Sequence, residues 1–131
     1  MQHGSNWHTQ DAGGFTFSLP SGFHKTSAHG IDSYVSEFER QDMTVDFDYG
    51  AYSGFSLDEY AKHPGYTSRM ERIGGHDVQI VSFDVVAPIQ RRFEHLAIAS
   101  FLGVGLTMSA DCKSTQDYDT ATKIFRSVRF K

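Results

Sequence analysis

Met43-Thr44-Val45-Asp46-Phe47-Asp48-Tyr49 carries the clearest structural signal in the chain. Met43, Val45, Phe47 and Tyr49 alternate with Thr44, Asp46 and Asp48. A strand turns successive side chains to opposite faces, so this stretch has one apolar face and one polar face. One-sided strands of this kind are characteristic of antiparallel sheets, which cover one face and leave the other to water. Upstream, Ile31 to Arg40 puts Tyr34, Ser36 and Phe38 on one face. Gln41-Asp42 then turns the chain, and the two strands read as a hairpin. Earlier still, Phe15, Phe17 and Leu19 alternate with Thr16 and Ser18 until Pro20-Ser21-Gly22 ends the run. Met1 to Gly14 is polar and has no period; residues 1–14 are expected to be a flexible lead on which only Trp7 could dock.

Downstream, Ser56-Leu57-Asp58-Glu59 fits a capping box, and Pro64-Gly65 stops the short helix it predicts. Thr67 to Ile73 and His76 to Val85 flank Gly74-Gly75, a hairpin signal. Ala87 to Gln90 contains Pro88 and connects elements. Arg92 to Leu102 carries Phe93, His95, Ala97, Ala99 and Phe101 on one face and Leu96, Ile98 and Leu102 on the other, which predicts a strand covered on both sides. Leu106 to Cys112 returns after Gly103-Val104-Gly105. Ser114 and Asp117 form a second capping box before Tyr118, Ala121 and Phe125, which recur at helical spacing, and Ser127 to Phe130 is a last strand. The expectation is an α+β single domain over residues 15–131: a mostly antiparallel sheet of about six to eight strands with about two helices packed on it.

The chain has 131 residues, enough for a core without disulfides or metal. Its 11 Phe lean towards sheet. Net charge is -4, with no basic stripe, and a nucleic-acid partner is not expected. The single Cys, Cys112, excludes an internal disulfide. The run from Leu96 to Leu106 is too short and interrupted to span a membrane. Met1-Gln2-His3-Gly4 does not read as an export signal, which leaves open a cytoplasmic protein or one whose signal Met1 has replaced.

The Phe15-Thr16-Phe17-Ser18-Leu19-Pro20 opening, the strand meander, the Gly-Gly hairpin and the closing Ile124-Phe125-Arg126-Ser127-Val128-Arg129-Phe130 together resemble the PsbP-like fold. That group includes the photosystem PsbP subunit, Mog-type Ran-binding proteins and bacterial envelope proteins of unknown role. The resemblance covers Phe15 to Phe130, on the order of nine-tenths of the chain. It implies an antiparallel sheet flanked by helices, a role as an accessory, chaperone or binding module, and a periplasmic or secreted location. No catalytic residue comes with it.

Few residues stand in a pattern that catalysis or metal binding needs. Ser53 in Gly50-Ala51-Tyr52-Ser53-Gly54 is displaced by one position from a nucleophile elbow. Gly103-Val104-Gly105 leads into a strand instead of the helix that a dinucleotide site needs. No His-Glu-x-x-His motif exists, and no metal or cofactor is assigned. Asp46 and Asp48 read as a solvated strand face, His95 as a core histidine bonded to the backbone and Cys112 as an inert buried thiol. One cluster rises above this background. Asp48, Tyr49, Tyr52 and Phe55 sit in or beside a glycine-punctuated loop, and Tyr60, His63 and Tyr66 surround the predicted short helix. Tyr offers an apolar body with a polar tip, and glycines at positions 50, 54 and 65 predict a mobile loop. The reading is a non-catalytic module contacting another protein through this surface. The alternative is a domain with an internal pocket for a small ligand, and an enzyme ranks last. Oligomeric state is not legible.

Overall fold

The computed structural model describes residues 6–26, 34–51 and 53–131. Within these the chain forms a seven-stranded antiparallel sheet in the order β3 (His24–Lys25), β4 (Tyr34–Arg40), β5 (Met43–Tyr49), β9 (Leu106–Cys112), β8 (His95–Phe101), β7 (His76–Asp84) and β6 (Thr67–Ile73). A small sheet places β1 (Trp7–Asp11) and β10 (Arg129–Phe130) on either side of β2 (Phe15–Pro20). The helix α1 (Tyr118–Arg126) packs against β2, β8 and β9.

The alternation in β5 sets the two faces. Val45 lies opposite Phe38 of β4 and Ala110 of β9, so one row crosses three strands. Met43, Val45 and Phe47 join Val78, Ile80, Ala97, Ala99, Met108 and Ala110 in the main core. The small sheet and α1 close this face, contributing Phe15, Phe17 and Leu19 from β2 and Ala121, Ile124 and Phe125 from α1. Its aromatic centre is edge-to-face, with Phe15 and Phe17 meeting the Phe47 ring at 5.0 and 5.7 Å, the arrangement that ring quadrupoles favour.

The opposite face is divided. Over β7 and β8 it is apolar, with Val81, Phe83, Leu96 and Ile98 in a second cluster capped by Leu57. Over β4, β5 and β9 it is polar, carrying Glu37, Thr44, Asp46, Ser109 and Asp111. β8 is covered on both sides, as its sequence predicts.

Two expectations change. Among the described residues there is one α-helix, not two. The Ser56 signal is real in part: the Asp58 N–H donates to Ser56 Oγ at 3.3 Å. The chain then makes only a 3-10 turn, Asp58–Tyr60. Gln79 of β7 holds this turn instead, accepting from the Leu57 N–H at 2.7 Å and donating to Asp58 Oδ1 at 2.9 Å. Too few residues precede Pro64 to offset the cost of helix nucleation. The second capping box forms, with the Ser114 N–H and hydroxyl both donating to Asp117 at 3.2 and 3.4 Å. The second change lies in residues 1–14, read as a lead. Trp7–Asp11 is β1, paired along its length with β2, and Trp7 packs on the main core.

Candidate functional site

The predicted aromatic surface divides between the two faces of the sheet. Tyr49 belongs to the main-core side: its ring meets Phe15 edge-on at 5.2 Å and lies 6.3 Å from Phe130. Gly14 packs so closely on it that a Cβ there would stand 2.5 Å from the Tyr49 ring. Asp48 alternates to the other face, opposite Thr107 in register. Tyr60 stacks on Phe83 at 4.9 Å and 15°, and the His63 ring sits 4.7 Å from the same Phe83. Tyr66 is half-buried against this second cluster. Tyr60, His63 and Tyr66 therefore come together as a lid on β7 and β8, and burial pushes the Tyr60 hydroxyl pKa up, with Glu59 adding to the effect. His63 Nδ1 is buried without a hydrogen-bond partner among the described residues. Phe55 is 63% exposed and is the outward ring of the set. Tyr52 lies outside the described residues.

The loop is pinned where mobility is expected. Thr107 Oγ1 accepts from the Ser53 hydroxyl and from the Gly54 N–H, both at 3.0 Å. The Ser100 hydroxyl donates to the Phe55 carbonyl at 2.6 Å. Gly54 has φ +79°, and a Cβ on it would stand 2.8 Å from both the Phe101 carbonyl oxygen and the Gly105 nitrogen. Glycine here serves close approach of one backbone to another.

A cleft of about 360 Å³ opens between the small sheet and the β3–β4 end of the large one. Phe17, Leu19, Phe23, Phe38 and Phe47 supply its apolar walls. Its polar groups are His8, Gln10, Asp11, Ser21, Lys25 and Ser36, of which Ser36 is only 1% exposed. The Asp11 carboxylate is already engaged, accepting from Lys131 Nζ at 2.6 Å, a bond that holds its pKa below the ordinary value. The His8 ring and the Ser21 hydroxyl share a hydrogen bond of 3.4 Å. Lys25 is exposed at the mouth. In the sequence, Ser36 stands on a strand face, Ser21 in a turn, and His8, Gln10 and Asp11 in a polar lead. The signal that could reveal the cleft is the Phe17–Leu19 alternation beside Pro20-Ser21-Gly22-Phe23, which makes a wall only once β1 pairs with β2.

The polar half of the outer face is closed by the segment between β7 and β8. Arg91 Nη2 donates to Asp46 Oδ2 at 3.0 Å, and its Nε is 3.8 Å from Asp111. The Arg92 and Phe93 N–H groups donate to Asp111 Oδ2 at 2.7 and 3.2 Å. Arg92 reaches on to Thr44 Oγ1 at 3.1 Å and to the Arg40 carbonyl at 2.7 Å. Burial raises the Asp46 pKa to about 6 against the opposing pull of Arg91. Burial also raises that of Asp111, opposed by its hydrogen bonds and by Arg91. Asp46 is thus a half-buried carboxylate clamped by arginine, not the solvated group that the alternation alone predicts.

His95 and Cys112 lie outside both the lid and the cleft. His95 Nδ1 lies 2.9 Å from Asp84 Oδ1, so its partner is a carboxylate instead of the backbone. Cys112 is fully buried, and burial followed by the nearby Asp117 pushes its thiol up to about 12. No protein-family model matches the chain, and no curated protein matches it.

Proposed function

We propose that the domain is a non-catalytic binding module that takes a small, mostly apolar ligand bearing one acidic group into the cleft between its sheets. The carrying observation is the cleft itself: about 360 Å³, with phenylalanine walls. Small-ligand sites have this size and composition, with a few polar groups to fix orientation. Lys25 at the mouth is the cation for the acidic group, and the buried Ser36 is the polar group of the wall.

Decanoate is a suitable probe. Titration into ¹⁵N-labelled protein is expected to shift the amides of Leu19, Lys25 and Ser36 together, and to change the emission of Trp7, which pairs with Pro20 at the cleft rim. Ser36→Leu fills the wall and abolishes the response. Shifts scattered over the surface, or none at saturating probe, would refute the reading. A protein partner on the aromatic lid is the second reading, favoured by the exposure of Phe55. On that reading Phe55→Ala leaves thermal stability intact and weakens the complex, whereas Tyr60→Ala lowers stability because its ring stacks on Phe83.

A further inference from the structure

β6 is one of the two outer strands of the large sheet, and among the described residues no strand lies beyond it. It is seven residues long, Thr67–Ile73, without Pro, and most of its side chains are exposed, including Met70 at 57%. An edge of this length offers a row of free backbone donors and acceptors to another strand.

The hairpin fixes which residues offer them. Gly74 and Gly75 have φ +58° and +85°, the paired positive values of a two-residue turn, and Ile73 faces His76 across it. The residues flanking such a turn exchange both bonds with each other. Ile73, Glu71, Arg69 and Thr67 therefore bond inwards to β7, and Ser68, Met70 and Arg72 turn their N–H and C=O groups outwards. A second strand can bond only in registers that match these three.

A second copy of β6 is self-complementary in one of them. Antiparallel pairing centred on Met70 uses all seven residues and sets each Arg69 opposite Glu71 of the other copy. Moving the centre to Arg69 opposes two arginines, and moving it to Glu71 opposes two glutamates. Within each strand Arg69 Nε already donates to Glu71 Oε2 at 2.8 Å, with Glu71 also held by Arg126 at 2.8 Å. The Arg69–Glu71 pair is a dipole along the strand, and a two-fold axis sets the two dipoles antiparallel, the attractive arrangement. On the other face the two exposed Met70 side chains meet at the axis.

We propose that the outer edge of β6 is a self-pairing interface through which two copies of this chain join antiparallel, with Met70 opposite Met70, into one continuous sheet. Sedimentation velocity of the full chain across a concentration series to about 200 µM tests this, since weak specific pairs populate dimer in that range. A monomer–dimer equilibrium is expected. Met70→Pro removes an outward N–H and no internal ladder bond, so the variant keeps its fold and is monomeric. Arg69→Glu sets Glu against Glu71 in both pairs and weakens association roughly tenfold or more. It is the second variant should Met70→Pro unfold. Met70→Cys cross-links to itself with a short bismaleimide, and buried Cys112 does not compete. A monomer at all concentrations overturns the proposal, including one that captures a strand from a different protein. So does a dimer that both Met70→Pro and Arg69→Glu leave intact.

Discussion

Replacing Gly54 by Ala tests the claim that the 50–66 loop is locked to the sheet by backbone contact. Two terms add. Gly54 has φ +79°, where an L-residue costs on the order of 1–2 kcal/mol. The new Cβ would also stand 2.8 Å from the Phe101 carbonyl oxygen and the Gly105 nitrogen, both backbone atoms that a rotamer change cannot move aside. Forced overlap in a packed site costs about 1–3 kcal/mol. The expected loss is therefore about 2–5 kcal/mol. Gly75→Ala is the internal control. Gly75 has φ +85° but nothing within 4 Å of the added Cβ, so only the conformational term applies. Urea unfolding followed by circular dichroism, with a shared slope for the three proteins, gives both losses. Gly54→Ala should exceed Gly75→Ala by at least about 1 kcal/mol. Equal losses would mean that the loop yields and the close approach carries no stability.

Asp46 gives an inverted pH dependence. Its folded pKa of about 6 lies above the model-compound value of 3.8, so the folded state holds its proton more tightly. Its contribution is fully present below pH 3.8 and is lost as pH rises through about 6. Asp46→Asn should flatten the stability–pH curve between these limits in urea titrations, and an unchanged slope would refute the assignment. Glu71 acts in the opposite sense. Its bonds from Arg126 and Arg69 hold its pKa near 2, below the ordinary 4.5, so stability present above pH 4.5 is lost as pH falls towards 2. Both arginines are exposed, so solvent screens the cluster, and Glu71→Gln should cost no more than about 1 kcal/mol at pH 7. Cys112 should resist thiol reagents in the native protein at pH 8 and react at once in denaturant, and native labelling within minutes would contradict its burial.

Much of the sheet was legible because one-sided strands write their period into the sequence. Met43–Tyr49 and the Phe15–Leu19 alternation are strands in the structure too, and the Gly74-Gly75 hairpin and the helix carrying Tyr118, Ala121 and Phe125 also appear where their signals stand. The failures have one cause: information that lies in another element. Ser56 announces a helix, yet Gln79, more than twenty residues later, accepts the Leu57 N–H and donates to Asp58, tying the segment to β7. Trp7–Asp11 has no apolar period because β1 is a strand held by its partner β2 more than by a buried face. Asp46 and Asp48 look alike in sequence, and only the return of Arg91 over the sheet separates them. The candidate site was half legible for the same reason. Tyr60, His63 and Tyr66 cluster as local spacing suggests, whereas the cleft needs five strands from two sheets.

The small sheet joins distant parts of the chain. β2 is laid down early, yet its second neighbour is β10, and the Ser18 N–H bonds to Ser127 Oγ across 109 residues. During synthesis every strand of the large sheet emerges before α1 and β10 do. Until residues 118–126 leave the ribosome, β2, β8 and β9 lack the cover that α1 gives them. The face that α1 closes is therefore completed only after the large sheet has been made, and a sheet left partly uncovered in this way depends on chaperones.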